Sequence, residues 1–236
     1  MTRTTGKTGE GPVQASFEFR SPPVRFSDLD ASAANQSALD FLGSVASWPF
    51  PVACLVGPPR SGKTAMAKVW ANAQSGLCQT PEALMDRTER IDLTRVALAI
   101  DPADTGLPEK ALLSVINQAG ERSGRLLLTG STPPMAWPVE SRDLASRLAS
   151  LPLAEIYKPD ADMVGVRLYS LLRRHFAAPP MDVVRYLQPR LKRTYADIES
   201  CAKRLVGRVG SGQGLTVMLA SSVLTEMYGA EDDSDG

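Results

Sequence analysis

Apolar positions follow one pattern up to about residue 158 and another beyond it. In the first part, short apolar runs alternate with segments of helical spacing. Pro51 to Val56, Val96 to Ile100, Arg125 to Thr129 and Leu151 to Tyr157 read as buried strands. Ala31 to Ala46, Ala65 to Ala73, Thr80 to Asp86, Leu107 to Ala119 and Ser141 to Leu148 read as helices, with Trp48-Pro49-Phe50-Pro51 breaking the first. Strands alternating with helices predict a parallel sheet covered on both faces.

Beyond Lys158-Pro159 the strands stop. Asp162 to Phe176, Met181 to Leu187, Tyr195 to Val206 and Leu215 to Tyr228 read as helices, their starts marked by Asp160, Pro180, Thr194 and Thr216. Gly207 to Gly214 reads as a loop. The expected organisation is a polar N-terminal arm over 1–23, an α/β base over 24–158, a small helical unit over 159–229 and an acidic tail over 230–236.

Composition narrows the function classes. Lys+Arg and Asp+Glu are equal at 26 each, so the chain lacks the overall basic field of non-specific nucleic-acid binders. The apolar runs are too short for a membrane span and the N-terminus has no apolar signal core, which predicts a cytoplasmic protein without membrane partners. Cys54, Cys78 and Cys201 match neither a zinc spacing nor a disulfide framework. His175, near the end of a predicted helix, has no evident acid-base or metal partner in the sequence.

The strongest chemical signal is Gly57-Pro58-Pro59-Arg60-Ser61-Gly62-Lys63-Thr64, a full G-x-x-x-x-G-K-[ST] loop between a strand and a helix. Its glycines let backbone N–H groups curl around phosphates, Lys63 reaches the terminal phosphates, and Thr64 offers a hydroxyl to Mg2+. The expected cofactors are ADP or ATP with Mg2+, and Gly57, Pro58, Arg60, Ser61, Gly62, Lys63 and Thr64 are the candidate binding residues. Hydrolases of this kind carry a metal-holding acid at the end of a second strand, and Asp101 closes Val96 to Ile100. Asp101 is thus a candidate metal ligand and catalytic residue. The next residue is Pro102, which neither accepts a proton nor orients water, so the hydrolytic half of the site reads as impaired. Asp104 is an alternative acid if the chain turns back, and a turn cap otherwise. The strand ending Leu128-Thr129-Gly130-Ser131 carries candidate phosphate sensors at Thr129 or Ser131.

These residues, with Phe26 to Ala38, Arg125 to Pro134, Trp137-Pro138 and Asp143-Leu144-Ala145-Ser146-Arg147-Leu148, resemble the DnaA-related AAA+ family, from about Val24 to Met227. Within it they are most similar to the Hda group, the shortened regulatory inactivators of DnaA. The resemblance implies an AAA+ P-loop NTPase fold with a RecA-like parallel sheet and an α-helical lid. It also implies that Arg147 is an arginine finger acting in a neighbour's nucleotide site, where a guanidinium offsets charge on the transferred phosphoryl group. Arg193 is the nearest match to the family's second sensor, with Lys192 the alternative. Phe26, Leu29 and Asn35 fall in the segment against which adenine packs in this family.

The resemblance implies two macromolecular partners. Gln14-Ala15-Ser16-Phe17-Glu18-Phe19 fits the segment by which the inactivators bind the polymerase sliding clamp, with Gln14 bonding backbone and Phe17 and Phe19 entering an apolar pocket. Phe17 stands where leucine is more usual. The second partner is DnaA, whose ATP hydrolysis the protein is expected to stimulate. The initiator's DNA-reading helix-turn-helix domain has no counterpart here, so contact with DNA is expected only through the loaded clamp, and homo-oligomers are possible. Competing expectations are a self-contained ATPase of the helicase-loader type acting on single-stranded DNA, and a scaffold between clamp and initiator.

Overall fold

Strands β1 (Val52–Val56), β2 (Leu77–Gln79), β3 (Ala97–Ile100), β4 (Arg125–Gly130) and β5 (Leu153–Glu155) form one parallel sheet in the order β2-β3-β4-β1-β5. The computed structural model describes residues 25–85, 97–121 and 124–229. Gln14, Phe17 and Phe19, the acidic tail and Val96 lie outside them. Strand β4 runs between β1 and β3, with Val52 opposite Leu126 and Ile100 opposite Leu128.

Alternation of side chains along the central strands divides the core in two. Ala53, Leu55, Ala99 and Leu127 face helices α1 (Gln36–Gly43) and α2 (Lys63–Ala73). On that side Phe41, Trp48 and Trp70 stack at centroid spacings of 5.1 and 5.6 Å. Cys54, Leu98, Ile100, Leu126 and Leu128 face the other way, onto α4 (Glu109–Glu121) and α5 (Arg142–Ala149). The short α3 (Pro81–Met85) follows β2.

Four further helices, α6 (Ala161–Arg173), α7 (Met181–Leu187), α8 (Tyr195–Gly210) and α9 (Val217–Tyr228), close around their own apolar core, which includes Leu168, Leu172, Leu187, Ile198, Leu205 and Val223. Asp160, Pro180, Thr194 and Thr216 all stand at the N-caps, and the three with polar side chains accept the expected backbone N–H. This helical unit, the lid, is tied to segments flanking α1 and β5. The Asp160 carboxylate accepts from Met163 N at 2.7 Å and Ala34 N at 3.0 Å, and Tyr195 donates to the Tyr157 carbonyl at 3.3 Å.

Several boundaries differ from the sequence expectation. The helix expected over Ala31 to Ala46 begins only at Gln36, because the buried Asn35 amide donates to Asp30 O at 2.8 Å and accepts from Ser32 N at 2.9 Å, folding 30–35 into a turn. Gly207 to Gly214 is not all loop, since α8 continues to Gly210 and the turn starts at Ser211, with Gly212 at φ +95°. The strand expected over Leu151 to Tyr157 pairs only from Leu153 to Glu155. Strand β2 was not predicted: it lies at the sheet edge with none of its residues buried, so it carries no apolar run.

Candidate functional site

Strand β1 delivers the chain at Val56 to the middle of the sheet, and residues 57–62 turn it directly into α2. That turn needs glycine at two places. Gly62 caps α2 at φ +99°, a left-handed conformation that glycine adopts without steric cost. At Gly57 an added Cβ would lie 2.8 Å from Ile156 Cβ and 3.0 Å from Ser61 Oγ, so a side chain would fill the hollow. Arg60 is also left-handed, at φ +64°.

The loop's donor set fits phosphate. Ser61 Oγ is buried and has no hydrogen-bond partner. The orphan N–H groups of the first turn of α2 face the same hollow, where a helix N-terminus favours anions. Lys63 Nζ donates to Gly57 O at 2.8 Å and Pro58 O at 3.0 Å, which holds it beside the loop. Burial pushes the Lys63 ammonium below its ordinary range, against the opposing pull of Asp101 and Asp104. Beside the loop lies a cavity of about 520 Å³, lined by Arg60, Lys63, Thr64, Lys68, Arg167 and Glu199 among others. Its size suits a nucleotide-sized ligand.

The expected acids reach the same place. Asp101 follows β3, and the fully buried Thr129 hydroxyl near the end of β4 donates to its carboxylate. After Pro102 the chain turns back: Ala103 N donates to Thr129 O at 2.7 Å, and Asp104 accepts from Ser131 N at 2.6 Å. Lys63, Asp101, Thr129 and Asp104 therefore converge at the ends of β1, β3 and β4. Among the described residues no group of three or more His, Cys, Asp or Glu is placed to hold a metal. Thr64 lines the cavity, whereas the Asp101 carboxylate accepts the Thr129 hydroxyl.

The two candidate arginines lie elsewhere. Arg147 is in the last turn of α5, above the buried Leu144 and Leu148, with its side chain 44% exposed and Nε 3.0 Å from Asp143. It does not line the cavity beside the phosphate loop. Ser141 caps α5, and the Glu109 carboxylate accepts from Glu140 N and Ser141 N at 2.6 and 2.9 Å, which fixes the start of that helix. Arg193 is exposed just ahead of the α8 cap and does not line the cavity either. Lys192 lies against Tyr228, its Nζ 4.9 Å from the ring centroid and its N–H bonded to the hydroxyl.

The guanidinium beside the loop belongs to Arg167 of α6, which the sequence reading missed. It bonds Asp30 and Glu199, each at 3.2 Å, and Glu199 lies 3.5 Å from Arg60. Ser170 also donates to Asp30. The N-terminal segment, two lid helices and the phosphate loop are thus joined by one ionic chain. Phe26 and Leu29 pack on the core beneath α2, and Asn35 spends its amide on its own turn.

No protein-family model matches the chain, and no curated protein matches it in sequence. Solved structures do match in shape. Domain III of the replication initiation protein DnaA from Thermotoga maritima superposes with a TM-score of 0.71 at 15% identity, covering 87% of this chain and 97% of that one. AMPPCP-bound DnaA from Aquifex aeolicus gives 0.65 at 15% identity, over 91% of this chain and 71% of that chain. A Thermotoga maritima RuvB variant gives 0.60 at 16% identity, over 87% and 72%. A five-stranded parallel sheet with helices on both faces and these likenesses make the fold the α/β fold of AAA+ modules.

Proposed function

We propose that the protein is a nucleotide-holding AAA+ adaptor that binds the polymerase sliding clamp and stimulates ATP hydrolysis by DnaA, so restraining the initiation of replication. The observation that carries the reading is the asymmetry of the site. The phosphate-binding half is complete, from Gly57 to Thr64, whereas the residue after Asp101 is Pro102. ADP or ATP would be held by the loop and Lys63, with Mg2+ on Thr64 and Asp101, where the ion would neutralise phosphate charge. Arg147, exposed on the rigidly started α5, is available to a second protein. Gln14, Phe17 and Phe19 would anchor the clamp.

The deciding experiment reconstitutes DnaA, loaded clamp and this protein and follows ATP hydrolysis by DnaA. Arg147→Ala abolishes stimulation while leaving nucleotide and clamp binding intact; undiminished stimulation refutes the finger. Gln14→Ala with Phe17→Ala removes co-elution with the clamp, and a wild type that does not co-elute refutes that partner.

One observation favours a second reading, in which the protein turns over its own ATP. Asp104 turns back to the end of β4, accepting from Ser131 N and pulling on the Lys63 charge, and would supply the acid that Pro102 does not. Steady ATP turnover by the purified chain alone, lost in Asp104→Asn, selects this reading over the adaptor.

A further inference from the structure

A second cavity, of about 550 Å³, opens on the far side of the Arg60–Glu199 pair from the phosphate-loop cavity, and these two residues line both. It lies between the end of α6 and the middle of α8. Its rim carries Arg60, Arg174, His175 and Lys203, with the Ser200 hydroxyl among them, and its floor is apolar, from Leu171, Ala202 and Val206.

The charges of this rim are not balanced from within. Glu199 is the single carboxylate of the lining, and it is already shared between Arg60 and Arg167. Among the described residues Arg174 and Lys203 have no ion pair and no hydrogen-bond partner for their side chains, and His175 has none either. A cation at the end of a helix such as α6 gains from the helix dipole, which accounts for Arg174 alone. Lys203 sits in mid-helix, away from the helix ends where the dipole acts, and although Glu199 lies one turn back on the same face, its carboxylate pairs with Arg60 and Arg167 instead. Like charges gathered along one cavity raise the local positive potential and draw an anion to it.

We propose that this cavity is a second ligand site, for a small molecule that carries adjacent phosphoryl groups on an apolar or planar body. The phosphoryl oxygens meet Arg60, Arg174 and Lys203, and the body lies on Leu171, Ala202 and Val206. The volume is that of a ligand pocket. A nucleic-acid strand fits less well, because the next cations along α8, Arg204 and Arg208, are both engaged by the Glu226 carboxylate rather than free for a backbone.

The test uses the full chain with the phosphate loop disabled by Lys63→Ala and labelled inorganic pyrophosphate as the probe, in equilibrium dialysis. One saturable site remains in Lys63→Ala. Adding Arg174→Glu and Lys203→Glu weakens it at least about tenfold, as loss of phosphate-binding cations does. Both positions are exposed, and an unchanged melting temperature confirms that the variant is folded. Absence of saturable binding in Lys63→Ala, or binding indifferent to the charge reversals, overturns the proposal. So does a single-stranded oligonucleotide that binds the same residues more tightly than pyrophosphate. Because Lys63→Ala is the background, failure here is distinct from failure of the phosphate loop, which is read from ADP binding by the wild type.

Discussion

Replacing Asp160 with alanine removes more than a helix cap. Its carboxylate accepts from Met163 N at the start of α6 and, with the other oxygen, from Ala34 N in the segment that leads into α1. Losing an N-cap costs about 1 kcal/mol. Ala34 N keeps the Ser32 hydroxyl at 3.1 Å as an acceptor, so losing its bond to Asp160 adds about 0.5–1.5 kcal/mol, for a sum of about 1.5–2.5 kcal/mol. In a protein of this size that lowers the melting temperature by roughly 3–10 °C. Thr216→Ala is the matched control, because Thr216 caps α9 through Leu219 N, and among the described residues its side chain makes no hydrogen bond to another segment. It costs only the cap, about 1 kcal/mol. Calorimetry or thermal circular dichroism compares the two, and an Asp160→Ala protein no less stable than Thr216→Ala refutes the tie between lid and base. The pH dependence gives a second reading. Burial opposes ionisation of Asp160, but the N–H groups of Met163, Ala34 and Asp162 and the Ser32 hydroxyl outweigh it and hold the carboxyl below its ordinary 3.8. A depressed value means that the stability is present above the unfolded pKa and is lost as pH falls through the folded one. The gap between wild type and Asp160→Ala therefore stays constant from neutrality down to about pH 5 and narrows only below pH 4.

Gly57→Ala places its methyl 2.8 Å from Ile156 Cβ and against Ser61, so ADP affinity falls at least about a hundredfold by dialysis, on the cost of a crowded phosphate cradle. Glu199→Gln leaves Arg167 with Asp30 alone and frees Arg60; since these groups are partly exposed, it costs about 1 kcal/mol in a melt. Thiol chemistry separates the three cysteines. Burial raises the Cys54 thiol far above its ordinary value and pushes Cys201 up to about 12; it raises Cys78 too, but that thiol is only half-buried and so open to reagent. A thiol reagent at pH 8 therefore modifies only Cys78 in the folded protein and all three in denaturant; rapid modification of Cys54 or Cys201 in the native state contradicts the packing.

What the sequence revealed follows from where each contact is made. Strands β1 and β3 are buried along their whole length, so each is a continuous apolar run that no amphipathic helix imitates. The caps at Asp160, Thr194 and Thr216 bond backbone three residues on, so their signal is local. The edge strand β2 had no such signal, because a strand of three residues with none buried shows no pattern. Asn35 misled in a different way. Its helix-like surroundings are overridden by two side-chain bonds within five residues, a competition that residue propensities do not record.

The loop from Gly57 to Thr64 was legible because its motif is written in eight consecutive residues, but the group that bridges it to the lid was not. Arg167 bonds Asp30 across 137 residues of chain and Glu199 across 32, so nothing near it in sequence marks it out. Its side chain is only 18% exposed and its Nε lacks a partner, which makes the arrangement a weak source of stability. Its value lies in orientation. A guanidinium with two fixed carboxylates accepts one relative placement of α6, α8 and the N-terminal segment, whereas an apolar contact of equal area accepts many. Glu199 extends that placement to Arg60, inside the loop itself. The lid is thus aligned on the phosphate loop by side chains that touch both, and a substitution in this chain reaches the loop without touching any residue of the loop motif.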